Sequence, residues 1–278
     1  MASTEGRLNF QSNKQQLDGL KLSHDVKKFK LLKKIIGALG YKLIDKKSAK
    51  TERLIDNYIF KIEDLLRALI NKKKITKILQ IGANDGKSDD FLYKSFNKDL
   101  EGILLEPMED AYASLKKNYE QFNKVKCLNL ALDIKDQEKI FFSVNPKYFE
   151  HYKKKFSDKN VKWLNILSSF HKEHLVRHGI KDKHIISKNI KCISFKTLID
   201  RYDFEDLDLL IIDTEGYDCT LVNNFIETMD MRPLIIFEWI HGENDEVNKL
   251  LKKLIENNYE FFKIGRDLIC FQKNFLFN

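Results

Sequence analysis

Cysteine, proline and glycine are all scarce in this chain of 278 residues. It has three prolines and eleven glycines, too few for the long flexible linkers that these residues form. The four cysteines are scattered singly, without a C-x-x-C pair: Cys127, Cys192, Cys219 and Cys270. A disulfide framework or a zinc site is therefore not expected, and reduced buried thiols fit best.

Long hydrophobic runs are also missing. No apolar stretch is long enough for a transmembrane helix, and the chain does not start with the charged and then apolar pattern of a signal peptide. An apolar content of 43% and a charged content of 32% are ordinary for a soluble globular protein. We predict a cytoplasmic protein with one large α/β domain and an appendage.

Positive charge is concentrated at the N-terminal end. The first 75 residues carry 18 Lys and Arg against 8 Asp and Glu, which leaves −2 for the other 203 residues within a total of +8. Apolar residues recur at helical spacing from about 17 to 43 and from about 52 to 70. These helices are predicted to cap the domain or to pair with a second subunit as a homodimer, and a membrane surface is the alternative.

Short apolar runs alternate with helical patterns from Lys77 onward. This alternation is typical of βαβ units and predicts a largely parallel sheet. The predicted strands are 77–82, 102–106, 126–131, 190–194, 208–213, 233–238, 259–264 and 268–273, of which the last two form a hairpin. Between 145 and 188 the alternation stops, and this segment is rich in histidine and aromatic residues.

Several strand ends carry the residue types of a nucleotide site. The first strand ends in Gly82-Ala83-Asn84-Asp85-Gly86, which matches neither the dinucleotide fingerprint nor the P-loop. The second ends at Glu106, where a carboxylate can accept both hydroxyls of a ribose. The third leads to Ala131-Leu132-Asp133, which could flank an adenine ring. The fourth core strand runs into Asp213-Thr214-Glu215-Gly216-Tyr217-Asp218, and the fifth into Glu238-Trp239-Ile240-His241.

Taken together, these segments resemble the FkbM family of S-adenosylmethionine-dependent methyltransferases. The resemblance covers about residues 76–240, and Ile212-Asp213-Thr214-Glu215-Gly216 is its specific part. It implies a class I (Rossmann-like) methyltransferase domain at 76–278, with a seven-stranded, mostly parallel sheet and an antiparallel C-terminal hairpin. The basic helical extension at 1–75 lies outside it.

The resemblance implies S-adenosylmethionine as the cofactor. With the strand-end pattern, it predicts the cofactor-binding residues Gln80, Gly82, Asn84, Asp85, Gly86, Glu106, Pro107, Ala131, Asp133 and Asp213. Gln80 stands where many methyltransferases have an acid, so an amide must serve there or the contact is absent.

The predicted reaction is O-methylation of a sugar or nucleotide-sugar hydroxyl, in surface-polysaccharide (capsule) or secondary-metabolite biosynthesis. Segment 145–188 is predicted to form a lid over the acceptor, whose other contacts are Glu215, Tyr217, Glu238 and Trp239. The lid histidines His171, His174 and His178 have helical spacing, with a serine cap before them. Because the imidazole pKa lies near neutrality, the predicted base is His171, His174 or His241, with Asp213 beside the sulfonium.

Three alternatives stay open. No metal is predicted, but Asp213, Glu215 and Glu238 could hold Mg²⁺. The basic N-terminal segment could belong to a nucleic-acid methyltransferase, although the catalytic region is slightly acidic and no nucleic-acid partner is expected. A non-catalytic scaffold of the same fold is the third alternative, and the intact Gly82, Asp85, Glu106 and Asp213 argue against it.

Overall fold

The computed structural model describes residues 61–88, 90–155, 164, 167–273 and 275. Of the predicted N-terminal extension, its last helix is described at Ile62–Asn71. The predicted helix at 17–43 and the start of the one at 52–70 lie outside the described residues. Among the helices that are described, none has both the length and the apolar character needed to cross a membrane.

The described part of the chain contains eleven strands. They are β1 (Lys77–Ile81), β2 (Glu101–Leu105), β3 (Val125–Leu128), β4 (Ala131–Leu132), β5 (Gln137–Val144), β6 (Ser168–Ser169), β7 (Ile185–Ile193), β8 (Leu209–Ile212), β9 (Leu234–Glu238), β10 (Tyr259–Ile264) and β11 (Asp267–Gln272).

Seven of these strands form the central sheet, in the order β10-β11-β9-β8-β1-β2-β3. The five from β3 to β9 in this order run parallel. Strand β11 runs in the opposite direction, since it is antiparallel to both β9 and β10, and β10 therefore has the same direction as the five parallel strands. This topology confirms the predicted class I methyltransferase fold, including its C-terminal hairpin.

The sheet is covered on both faces by helices. Those described are α1 (Ile62–Asn71), α2 (Glu109–Tyr119), α3 (Phe149–Lys155), α4 (Lys172–Arg177), α5 (Phe195–Tyr202), α6 (Asp218–Thr228) and α7 (Asn244–Glu256). Side chains of α1 and α2 pack with one set of strand residues, and those of α5, α6 and α7 pack with the alternate set. Because both faces are buried, the central strands are almost entirely apolar, as in Leu209–Ile212.

A second sheet follows the third strand, in the order β4-β7-β5-β6. The prediction missed two of its strands, β5 and β6, and started β7 five residues late. The predicted strand 126–131 is two strands, β3 and β4, which lie in different sheets. In β5, the sequence Gln-Glu-Lys-Ile-Phe-Phe-Ser-Val lacks a clean alternation because the strand is neither fully buried nor exposed on one face.

The predicted lid helix is shorter than its histidine spacing indicated. Helix α4 has six residues, and His171 and His178 are the residues that flank its two ends. Ser168 and Ser169 form β6, which pairs with β5, so neither caps the helix. The expected serine cap was wrong because these residues are extended in a sheet, although His174 and His178 do contact each other.

Candidate active site

A cavity of about 140 Å³ opens at the C-terminal ends of β1, β2 and β8. This is the point where the strand order changes direction, the usual ligand crevice of an open α/β sheet. One side, the glycine wall, comes from the first two strand ends and comprises Gln80, Gly82, Ala83, Asn84, Asp90 and Glu106. Another part of the lining, the aromatic wall, comes from β5, β6 and the residue after β6, and comprises Phe141, Ser168 and Phe170. Asp213, Thr214 and Glu215 lie at the end of β8.

The ends of β1 and β8 approach each other closely at Gly82. It has a φ of +78°, and a Cβ there would lie 1.8 Å from the Asp213 carbonyl oxygen. Its N–H and that of Ala83 both donate to the Leu105 carbonyl, at 3.0 and 2.9 Å. Only glycine can adopt this left-handed backbone conformation and also fit here, because there is no room for a Cβ.

Glu106 is buried beside this turn with its carboxylate already half satisfied. One oxygen accepts the Asn84 N–H at 2.9 Å, and the other accepts the Met108 N–H at 2.8 Å. Desolvation by burial raises the pKa of Glu106 to about 7, against the lowering effect of these two hydrogen bonds. Each oxygen keeps a lone pair for a further donor, so a ligand with two adjacent hydroxyls would complete the site.

Gln80 and Asp90 form a polar pair in the same wall. The Gln80 amide nitrogen donates to Asp90 at 2.9 Å, and burial raises the pKa of Asp90. The Gln80 amide oxygen is buried without a hydrogen-bond partner among the described residues. Position 80 has an amide where many methyltransferases have an acid, and the structure supplies an acid from position 90, which the strand-end pattern did not identify.

Asp213 faces the cavity and has solvent access there. The protein around the cavity still desolvates it, which is the main reason that the pKa of Asp213 is raised well above its ordinary range. The negative charges of the neighbouring carboxylates raise the pKa of Asp213 further; these are Asp218, Glu215, Glu238 and Asp267. Because these are all carboxylates, the end of β8 favours a positively charged ligand.

The loop after β8 is held by Asp218, the first residue of α6. Its buried carboxylate accepts hydrogen bonds from the Thr214 N–H, the Thr214 hydroxyl and the Gly216 N–H, each at 3.1 Å. Burial raises the pKa of Asp218 to about 7. Glu215 and Gly216 both have positive φ, of 54° and 103°. The Asp-x-Glu-Gly-x-Asp pattern therefore folds a tight loop that presents Glu215 next to the cavity.

Glu215 lies in a cluster with two histidines. His174 Nε2 lies 3.1 Å from the Glu215 carboxylate, and His241 Nε2 lies 3.7 Å from it. Glu238 lies 3.1 Å from His241 Nε2. These four residues, the histidine–glutamate cluster, come from α4 and from the ends of two strands. The prediction named all four but did not place them together.

The histidine charges shift the acids and bases of this cluster. Burial opposes ionisation of Glu215, yet the hydrogen bond with His174 and the charges of His174, His241 and His178 lower its pKa. The hydrogen bond with Glu238 raises the pKa of His241. The cluster therefore stabilises the Glu215 carboxylate and the His241 imidazolium together.

Several predicted residues lie outside the cavity lining. Asp133 is fully buried and accepts hydrogen bonds from the Tyr217 hydroxyl at 2.7 Å and from Gln137, with Lys139 at 3.3 Å. Tyr217 is buried in this network, which connects β4 and β5 to the loop after β8. Through these hydrogen bonds Asp133 and Tyr217 connect the second sheet to the loop after β8, and neither lines the cavity.

Four further predicted residues also lie away from the lining. Asp85 accepts the Lys87 and Ser88 N–H groups and so closes the turn. Gly86 packs on α2, where a Cβ would collide with Leu115 and Tyr119 side chains. His171 is exposed, with its ring 6.0 Å from that of Tyr217. Trp239 is half-buried, and the Lys263 ammonium lies over its ring.

Pro107 and Ala131 do line the cavity, as do Leu130 and Leu132 of the segment predicted to flank an adenine ring. Lining residues that were not predicted include Ser88, Phe91, Met108, Ala111, Phe141, Ser168 and Phe170. The apolar ones, Phe91, Met108 and Ala111, offer the kind of surface that a flat heterocycle contacts.

The fold and this cavity define a nucleotide-type ligand site in an open α/β sheet. The sequence matches the family model described as the methyltransferase FkbM domain over residues 80–261. The chain therefore belongs to the FkbM methyltransferase family. This assignment confirms the predicted family and enzyme class, with S-adenosylmethionine as the cofactor.

Solved structures with similar folds are distant in sequence. An O-methyltransferase from Bacillus cereus in complex with SAH is 12% identical, covers 87% of this chain and 97% of its own, and has a TM-score of 0.41. An S-adenosylmethionine-dependent O-methyltransferase from Thermotoga maritima is 10% identical, with 79% and 69% covered and a TM-score of 0.38. No curated protein matches the chain.

The residues present fit the cofactor. Glu106 has acceptor positions left for two ribose hydroxyls, and the unpartnered Gln80 oxygen beside Asp90 suits an ammonium group. The carboxylates at the end of β8 suit a sulfonium cation.

Proposed function

We propose that this methyltransferase transfers the methyl group of S-adenosylmethionine to a hydroxyl of a sugar or nucleotide-sugar. The observation that carries the proposal is the position of Asp213 and Glu215, which line one cavity together with the glycine wall and the aromatic wall. A carboxylate at the donor cavity and aromatic faces in the same lining are what a hydroxylated ring requires: a proton acceptor and a stacking surface.

The glycine wall would hold the donor. Glu106 would accept the ribose hydroxyls, and Gln80 with Asp90 would accept the ammonium of the methionine part. Met108, Pro107 and Ala131 would contact the adenine. When bound, S-adenosylmethionine supplies a methyl group on a cationic sulfur, and the protein's part is to align an oxygen with it and to accept a proton.

Asp213 is the residue that we assign to the acceptor proton. Of the four predicted catalytic residues, it is the one that itself lines the cavity. His174 and His241 reach the cavity through Glu215, and His171 is exposed. The acceptor O–H proton goes to the Asp213 carboxylate as the oxygen bonds to the methyl carbon. The carbon–sulfur bond breaks, and the products are a methyl ether and S-adenosylhomocysteine.

A negatively charged acceptor is favoured by the insertion at 145–188. This segment contains 11 Lys and Arg against 4 Asp and Glu. Nucleotide-activated sugars carry a diphosphate, so a basic segment beside the acceptor would attract them. A role in capsule or secondary-metabolite biosynthesis is proposed on the same basis.

The test is methyl transfer from labelled S-adenosylmethionine to a panel of nucleotide-sugars, with products identified by mass spectrometry. Wild-type protein is expected to methylate at least one of them. Asp213→Asn is expected to lower kcat by about 100-fold or more, the usual contribution of a positioned base, while S-adenosylhomocysteine still binds. Methylation of other small molecules but of no sugar would contradict the substrate assignment, and a wild-type kcat for Asp213→Asn would contradict the base.

A further inference from the structure

Three side chains of the histidine–glutamate cluster converge from three separate parts of the chain. His174 comes from α4, Glu215 from the loop after β8 and His241 from the loop after β9. Their ligand atoms all lie within 4.8 Å of one another. His174 is 7% exposed, and Asp218 holds the Glu215 loop. The Glu238 carboxylate lies 3.1 Å from His241 Nε2, the same atom that faces Glu215, so Glu238 also lies near the point where the three side chains meet.

The spacing is close to that of a metal-ligand set. Ligand atoms about 2.1 Å from a tetrahedral ion lie about 3.4 Å from one another. The distances from Glu215 to the two histidine nitrogens, 3.1 and 3.7 Å, bracket this value. Both histidines direct Nε2 to the same carboxylate oxygen, so an ion could enter between the three atoms with small side-chain movements.

We propose that His174, Glu215 and His241 bind one divalent first-row transition-metal ion, with Glu238 as an adjacent second carboxylate. Two imidazoles and one carboxylate form the ligand set that suits Zn²⁺ or Fe²⁺, whereas Mg²⁺ and Ca²⁺ prefer sites made of oxygens. This site differs from the Mg²⁺ alternative raised by the sequence, because two nitrogens replace Asp213.

The position of Glu215 relates the ion to catalysis, and this step rests on the proposed function. Glu215 also lines the donor cavity, so an ion on it would lie next to an acceptor hydroxyl. Held by His174, Glu215 and His241, the ion would supply Lewis acidity, which would lower the pKa of the acceptor hydroxyl, as it does for metal-bound water. Asp213 would remain the acceptor of the hydroxyl proton.

The test measures metal binding in the absence of cofactor and acceptor, so it does not depend on the identity of the sugar. Full-length protein is treated with a chelator, dialysed, and titrated with Zn²⁺ by calorimetry and with Co²⁺ by visible spectroscopy. We expect one equivalent per chain with a dissociation constant in the micromolar range or below. Co²⁺ should give the intense visible bands of a low-symmetry nitrogen–oxygen site.

Substitutions of the three ligands should remove this binding. Glu215→Gln and His241→Gln keep the side-chain volume nearly constant and are expected to weaken Zn²⁺ binding by more than about 100-fold, beyond the 10- to 100-fold that loss of an outer-shell partner causes. His174→Ala should do the same, with circular dichroism checking its fold. His151→Ala, an exposed histidine of α3, is the matched control and should bind as wild type.

Two results would overturn the proposal. One is no stoichiometric binding of Zn²⁺ or Co²⁺ by folded wild-type protein, in which case the cluster is a hydrogen-bonded ion-pair network. The other is stoichiometric binding that survives in folded Glu215→Gln and His241→Gln, which would place the ion elsewhere. Methyl transfer by the metal-free protein at the wild-type rate would contradict the catalytic step while leaving the proposed substrate class intact.

Discussion

The glycine wall and the aromatic wall face the same cavity but are assembled in different ways. The glycine wall runs from Gln80 to Glu106, a short continuous part of the chain whose turn and strand end are fixed by backbone hydrogen bonds. The aromatic wall comes from the second sheet and the residue after β6, and the cluster beside it combines α4 with two distant loops. A binding surface built from one continuous segment can be recognised in the sequence as a motif, whereas a surface built from tertiary contacts cannot.

The largest expected effect is on the glycine wall itself. Gly82→Ala places a Cβ 1.8 Å from the Asp213 carbonyl oxygen on a left-handed backbone. We expect a loss of about 3 kcal/mol or more in the free energy of unfolding and no measurable S-adenosylhomocysteine binding. Urea denaturation and calorimetry measure the two quantities.

Gly265→Ala is the matched control for this substitution. Gly265 also has positive φ, at +60°, but nothing lies within 4 Å of its Cβ position. Its cost should be only the backbone strain, about 1–2 kcal/mol, with cofactor binding intact. Equal costs for the two substitutions would show that the contact with Asp213 is unimportant.

The next effect separates donor binding from stability. Glu106→Ala removes the carboxylate that would accept the ribose hydroxyls, and hydrogen bonds to a charged group are worth about 1.5–3 kcal/mol each. Two such bonds together give about 3 kcal/mol or more, so we expect the dissociation constant of S-adenosylhomocysteine to rise by about 100-fold or more, measured by calorimetry. Glu109→Ala, an exposed glutamate at the start of α2, should leave that constant unchanged.

A smaller effect is expected on the aromatic wall. The Phe170 ring packs edge-to-face with Phe141 at 5.1 Å and with Tyr217 at 5.3 Å. Phe170→Ala should raise KM for the acceptor by about tenfold, the size of one lost aromatic contact, and leave S-adenosylhomocysteine affinity within about twofold. If the variant loses cofactor affinity and keeps its acceptor KM, the two walls have been assigned the wrong way round.

The pH dependence of stability tests the glycine wall without bound cofactor. The pKa of Glu106 is about 7 in the folded protein and is higher than its ordinary value of 4.5. Its contribution to stability is therefore full below about pH 4.5 and is lost as the pH rises through about 7. The free energy of unfolding of the cofactor-free protein should fall over this interval, as followed by urea denaturation.

Glu106→Gln should make this fall less steep. A residual slope is expected because burial also raises the pKa of Asp218 to about 7 and that of Asp267 to about 6. An unchanged slope in Glu106→Gln would mean that Glu106 stays ionised across the interval in the folded protein.

The features of the fold and site that could be predicted from the sequence are those encoded by continuous segments, as in the glycine wall. Apolar runs with periodic spacing are a local property, so the strands of the central sheet and its C-terminal hairpin were predicted within a few residues. The strand ends at Glu106 and Asp213 could be identified because a carboxylate after a buried strand is unfavourable unless it has a partner or a ligand. Gly82 could be identified because a tight turn follows the first strand.

The rest depends on long-range packing. Strand β5 is half-buried and its apolar and polar residues do not alternate strictly, so the hydrophobic pattern did not predict a strand there. In the sequence Asp133 looks like an acidic residue of a surface loop, but pairing of β4 with β7 buries it against Tyr217. The meeting of His174 with Glu215 joins residues 41 apart in sequence, and no local pattern encodes that contact.

Titration of the wild-type protein with S-adenosylhomocysteine by calorimetry tests the central claim, that this cavity is the cofactor site. We expect saturable binding of one molecule per chain, and competition by adenosine, which offers the same two ribose hydroxyls to Glu106. Folded protein that binds neither compound, or binding that is unchanged when Glu106 is replaced by alanine, would contradict it.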